Sequence, residues 1–147
     1  MTKGELLVAA VRAKGSDARD VRDAAHEATH ALRWKVRAPW TRDRIHDKAP
    51  APRDASRKIR EEIIARAVEA LICAELGVEY DLPTWAMTCA MEQVKMEGIA
   101  VPSLDWLIDA IKNHMAGLEA KRTAAAVLAL AAEPKRKRTR AAAGVTP

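Results

Sequence analysis

The stretch best equipped for chemistry is Ala24-Ala25-His26-Glu27-Ala28-Thr29-His30-Ala31-Leu32, an HExxH pattern inside a helically patterned segment. A spacing of four puts His26 and His30 one turn apart on the same helix face. Two imidazole nitrogens can there converge on a single Zn²⁺ about 2 Å from each. Glu27, next to the first of them, points to the side where a metal-activated water would sit. It can act as general base on that water and later hand the proton to a leaving amine. The intervening Ala28 and Thr29 are small and uncharged, as a helix packed around a metal needs. The alternative is two histidines sharing a solvated helix face, an uncommon accident in a chain with only four His.

A catalytic tetrahedral site takes a third protein ligand and leaves the fourth position for water. Glu61, Glu62 and Glu69 offer themselves, and Glu62, Arg66 and Glu69 share one helical stripe at spacings of four and three. A carboxylate at the head of an otherwise apolar, buried helix is costly unless it is paired or bound to a metal, which favours Glu62 as third ligand. Glu61 and Glu62 can also be read as first-turn acids complementing the helix dipole. Glu69, deeper in the apolar run, is an alternative ligand, a partner that orients one of the histidines, or half of an ion pair with Arg66 or the basic loop.

The elements that must position these groups are helices. Glu5 to Lys14 reads as a short amphipathic helix with Leu6, Leu7, Ala10 and Val11 apolar, stopped by Gly15. Ser16 or Asp17 then caps a second helix to about Leu32, with the stripe Ala18, Val21, Ala25, Ala28 and Leu32. Residues 33 to 53 contain Pro39, Pro50 and Pro52 together with Trp34, Trp40 and His46, and read as a long irregular connection. Within it, Leu32, Trp34 and Val36 alternate with Arg33, Lys35 and Arg37 as a short strand would. A third helix runs from about Asp54 to Leu76 and ends at Gly77. Between Ile63 and Leu76 only Arg66, Glu69 and Glu75 are charged, so this helix is expected at the centre. Asp81 and Pro83 start a fourth, to about Glu97 before Gly98. Ser103 caps a fifth, with Leu104, Leu107, Ile108 and Ile111 inward, to roughly Leu118 or on to Ala132.

The chain is 147 residues with 49% hydrophobic side chains, enough for one cored domain. Four Trp, one Tyr and no Phe leave Ala, Leu, Ile, Val and Met to build the core, the composition of packed helices. The expectation is a mainly α fold of about five helices with little or no sheet over residues 1–132, followed by a disordered basic tail over 133–147. Cys73 and Cys89 both sit in apolar helical patterns, where a disulfide framework or thiolate zinc site is not expected. The net charge of +5 is unevenly placed: residues 33 to 60 carry +7, residues 61 to 119 carry −8, and the tail carries +4. This is a charge dipole rather than a basic surface throughout. No apolar run approaches a membrane span, and Met1 to Ala10 lacks the apolar stretch of a secretory signal, so a cytoplasmic protein is expected.

The run Arg60-Glu61-Glu62-Ile63-Ile64-Ala65, with Ala70-Leu71-Ile72-Cys73-Ala74-Glu75-Leu76-Gly77-Val78, resembles the "REELVAE…AAFLCAELGI" helix that follows HExxH in the metallopeptidase domain of ArdC-type antirestriction proteins. The resemblance covers about residues 24 to 80, with the two blocks in the right order and at a suitable separation. It implies a zincin-like domain with His26, His30 and Glu62 as zinc ligands and Glu27 as catalytic acid/base. It also implies a phage- or plasmid-borne role, protecting incoming DNA from restriction in a bacterial cytoplasm. Arg66 stands where the family pattern has its second acid. Only 25 residues precede His26, so the single-stranded-DNA-binding domain that precedes the peptidase in that family is not expected in this chain.

His46, His114 and Tyr80 are further candidates, as groups able to assist a transition-state oxyanion. Residues Trp34 to Arg42 interleave aromatics with cations, compatible with a lid over the cleft or with stacking on unpaired bases. The basic cluster at 135–140 would bind polyanions through salt-sensitive contacts or keep the chain dissolved. Two function classes follow. One is a zinc-dependent peptidase acting on a protein or peptide substrate, although no edge strand for holding an extended peptide is evident. The other is a nucleic-acid-associated accessory protein that keeps the zincin scaffold for stability and binds through its basic loop and tail.

Overall fold

Local sequence signals set where each helix begins and ends, as seen in a computed structural model that describes residues 1–33 and 55–132. Helix α1 spans Lys3–Ala13, starting two residues earlier than the apolar pattern suggests, because the Thr2 hydroxyl accepts a hydrogen bond from the Glu5 amide at 3.1 Å and caps it. Gly15 ends the segment with a positive φ of 101°. Helix α2, Val21–Arg33, starts later than the Ser16 or Asp17 cap expected from sequence. Buried Ser16 instead accepts from the Ala18 amide in a local turn, and Asp20 caps the helix by accepting from the Asp23 amide at 2.9 Å. Leu32 lies inside α2, which overrides the start of the short strand; the remainder of that segment falls outside the described residues.

Helix α3, Ala55–Leu76, is the axis of the fold and touches α2, α4, α5 and α6. Every side chain from Ile63 to Ala70 is buried, as its near-continuous apolar run predicts. It ends in a Schellman motif: Gly77 has a φ of 70° and the Val78 amide donates to the Cys73 carbonyl at 2.8 Å. Helix α4, Leu82–Glu97, has Asp81 as N-cap, and α5, Leu104–Ala116, has Ser103, both as the sequence indicates.

The fifth helix does not run on to Ala132. Gly117 adopts an extended φ of −83° and ψ of 155°, and a separate helix α6, Leu118–Ala132, follows. Among the described residues there are thus six helices and no strand. The break turns Ala120, Ala124 and Val127 back onto a core built by Leu7, Val11, Ile64, Val68, Ile72, Leu107 and Ile111. On α2 the buried face is Ala24, Ala25, Ala28 and Ala31. These small side chains let α2 approach α3 closely, so longer polar side chains at the edge of that interface can meet across it. No helix is long and apolar enough to cross a membrane among the described residues. The tail beyond Ala132 lies outside them.

Candidate metal centre

At the edge of the α2–α3 interface, α2 presents His26 and His30 and α3 presents Glu62. Among the described residues these three form a group able to hold a metal ion. The Nε2 atoms of the two histidines are 3.0 Å apart, their rings meeting edge to face at 82°. The Glu62 carboxylate places Oε1 3.0 Å from His30 Nε2 and Oε2 3.7 Å from His26 Nε2. Donor atoms around a tetrahedral zinc stand roughly 3.3 Å from one another when each is about 2.0–2.1 Å from the metal. The separations to the nearer Glu62 oxygen on each side bracket that value, and the donor set of two imidazoles and a carboxylate suits zinc among other divalent first-row metals.

Of the three candidate acids, only Glu62 faces the Nε2 atoms. Glu61 turns sideways into a two-point ion pair with Arg33, at 2.6 and 2.9 Å, and Arg33 and Arg60 both reach Glu119 on α6. Arg33 is one turn beyond His30 and Glu61 adjoins Glu62, so this pair fastens α2 to α3 beside the ligands.

Glu69 takes the opposite side of His26. It is fully buried, and its Oε1 accepts from His26 Nδ1 at 2.5 Å. The Tyr80 hydroxyl donates to Oε2 at 2.5 Å, and Arg66 Nη1 donates to both oxygens at 3.2 Å. Arg66 extends the network through Nη2 to Glu92 on α4. Trp85 covers it: its ring lies 3.5 Å from the Arg22 guanidinium carbon and 5.8 Å from that of Arg66.

The electrostatics follow from this geometry. Burial opposes a charged His26, yet Glu69 and then Glu62 outweigh it and hold the imidazole pKa above its ordinary value. Burial likewise disfavours the Glu62 carboxylate, but His30 and His26 prevail and bring its pKa from 4.5 down to about 2. The Glu69 carboxyl is also held below its usual range, by His26 and Arg66 against burial. Burial, reinforced by Glu69, raises the Tyr80 phenol. The metal-free pocket therefore favours ionised carboxylates beside a His26 that holds its proton more tightly than a free imidazole, and a cation bound there would displace that proton.

Glu27 is half-buried on α2 directly after His26. Tyr80 spends its hydroxyl behind His26, on the Nδ1 side, and not where an oxyanion would form. His114 sits beside the Arg33, Arg60, Glu61 and Glu119 cluster, its pKa lowered by burial and then by Arg60. Cys73 and Cys89 are buried, and burial pushes both thiols up to about 11. His46, the Trp34 to Arg42 stretch and the 135–140 basic cluster lie outside the described residues. The links from Tyr80 and Trp85 were not legible in the sequence, since both join the network from beyond the end of α3, where no helical spacing relates them to Glu69.

In comparisons with known proteins, no family model, no curated protein and no solved structure matches this chain.

Proposed function

We propose that this chain is a zinc-dependent hydrolase of the HExxH type that cuts a peptide bond, with His26, His30 and Glu62 as metal ligands and Glu27 as general acid/base. The observation that carries the reading is the meeting of Glu62 with both Nε2 atoms at hydrogen-bonding to near-contact distance. A third ligand from a different helix is what turns a four-letter pattern into a site. When bound, zinc would supply Lewis acidity to a water and to a scissile carbonyl. The chain's own residues do the rest. His26 and His30 present two nitrogens from one helix face, and Glu62 offers a charge that stays ionised at physiological pH. Glu27 takes a proton from the attacking water and returns it to the departing amine.

The cellular setting is part of the same proposal. A phage- or plasmid-borne factor in a bacterial cytoplasm, as the antirestriction resemblance implies, would find its substrates among host proteins. The decisive assay is cleavage of a diverse peptide library by zinc-loaded protein, with a chelated sample and Glu27→Gln beside it. The proposal predicts cleavage that is lost on chelation and falls at least about 10²-fold in Glu27→Gln with zinc retained. Equal cleavage by Glu27→Gln would refute the catalytic assignment.

A further inference from the structure

We propose that Glu69, held by Arg66 and Tyr80, is a positioning residue that fixes His26 with its hydrogen on Nδ1 and so reserves the Nε2 lone pair for the metal. The proposal rests on the metal reading above and extends it to groups that touch neither metal nor substrate. A fully buried carboxylate is sustained only if its oxygens are satisfied. Those of Glu69 receive His26 Nδ1, the Tyr80 hydroxyl and Arg66 Nη1.

An ionised carboxylate can only accept, so the ring nitrogen facing it must carry hydrogen. The neutral ring then has one bare nitrogen, Nε2, which is the atom facing His30 and Glu62. Without this contact the two tautomers of His26 compete, and the one with hydrogen on Nε2 cannot ligate. Arg66 and Tyr80 approach from different places, one a turn earlier on α3 and one from the connection to α4, so the carboxylate is held from two directions. Arg66 is itself tied to Glu92 and flanked by Trp85, which keeps it from swinging away. Buried ligand-orienting partners of this kind typically change metal affinity by about 10–100-fold when removed.

The test is a long-range ¹H–¹⁵N correlation spectrum of ¹⁵N-histidine-labelled protein, metal-free at alkaline pH and then zinc-loaded. The His26 signals are assigned by their loss in His26→Ala. Zinc affinity is measured in parallel against a chromophoric chelator, for wild type, Glu69→Gln and Tyr80→Phe, with circular dichroism reporting the fold. The expected result is an Nδ1–H ring in wild type and a shift toward the Nε2–H form in Glu69→Gln. Zinc binding should weaken by about 10–100-fold in Glu69→Gln and by less in Tyr80→Phe. A wild-type His26 carrying its hydrogen on Nε2 overturns the proposal. So does a folded Glu69→Gln, or a folded Tyr80→Phe should Glu69→Gln not fold, with wild-type tautomer and wild-type affinity. An Nδ1–H ring in a wild type that takes up no zinc upholds the Glu69 contact and overturns the metal reading instead.

Discussion

Glu62 and Glu69 lie two turns apart on one helix, both are largely screened from water and both face His26, yet their surroundings assign them opposite work. Glu62 meets the two Nε2 atoms and otherwise keeps a partly open edge, with a side chain 19% exposed. Glu69 is fully buried and spends its oxygens on an arginine, a tyrosine and the back of the same imidazole. On the proposed reading, one carboxylate is left available to a cation, and the other is consumed in holding the His26 ring still. The lesson is that saturation, more than burial, separates a ligand from its support: a carboxylate whose partners are all permanent has nothing left to bind.

Replacing each acid separates the two roles, with the largest effect at Glu69. Glu69→Ala leaves Arg66, only 3% exposed, without its main counter-charge. It is expected to destabilise the metal-free protein by about 3–5 kcal/mol in urea unfolding. Glu62→Ala should cost clearly less in the same measurement, because its side chain keeps a partly open edge, 19% exposed, and it is not the main counter-charge of a buried arginine. Equal losses from the two variants would erase the distinction.

The pH dependence sharpens it. The folded-state pKa of Glu62 is about 2 against an ordinary 4.5, so its contribution is present above 4.5 and is lost as pH falls toward 2. Metal-free wild type should therefore lose stability across that window more steeply than Glu62→Gln, by urea midpoints at successive pH values. His26 has the opposite sign. Its raised pKa gives stability that is present below its ordinary value and is lost as pH rises through the folded value, and added zinc should remove that alkaline loss.

The smallest effect is expected at the Arg33–Glu61 pair. It is bidentate but only part-buried, so Arg33→Ala should cost about 1 kcal/mol and leave zinc stoichiometry unchanged. Loss of zinc in that variant would mean that the pair, rather than Glu69, governs the geometry of the ligands.

Much of this was legible in the sequence, for identifiable reasons. Helical periodicity located α1 to α5 to within a few residues, and the mostly apolar run of Ile63 to Leu76, charged only at Arg66, Glu69 and Glu75, marked the central helix. The spacing of His26 and His30 within α2 fixed their shared face. The sequence leaves open whether α5 stops near Leu118 or runs on to Ala132, because Gly117 breaks the helix with an extended conformation, which carries no left-handed signature and no proline. The start of α2 was misplaced because Ser16, Asp17 and Asp20 are all competent caps, and only tertiary packing, which buries Ser16, chooses among them. The preference for Glu62 rests on its sharing a helical stripe with Arg66 and Glu69 at the head of an apolar helix, where a carboxylate needs a partner. The role of Glu69 remained one of several, since its assignment depends on Tyr80 and Arg66 reaching it in three dimensions.

Metal content by mass spectrometry tests the central claim most directly, on protein purified without added metal, with wild type beside His26→Ala, Glu62→Ala and Glu27→Gln. The account predicts near-stoichiometric zinc in wild type and Glu27→Gln and its loss in the other two. Wild-type protein that carries no zinc and takes none up on titration would contradict it.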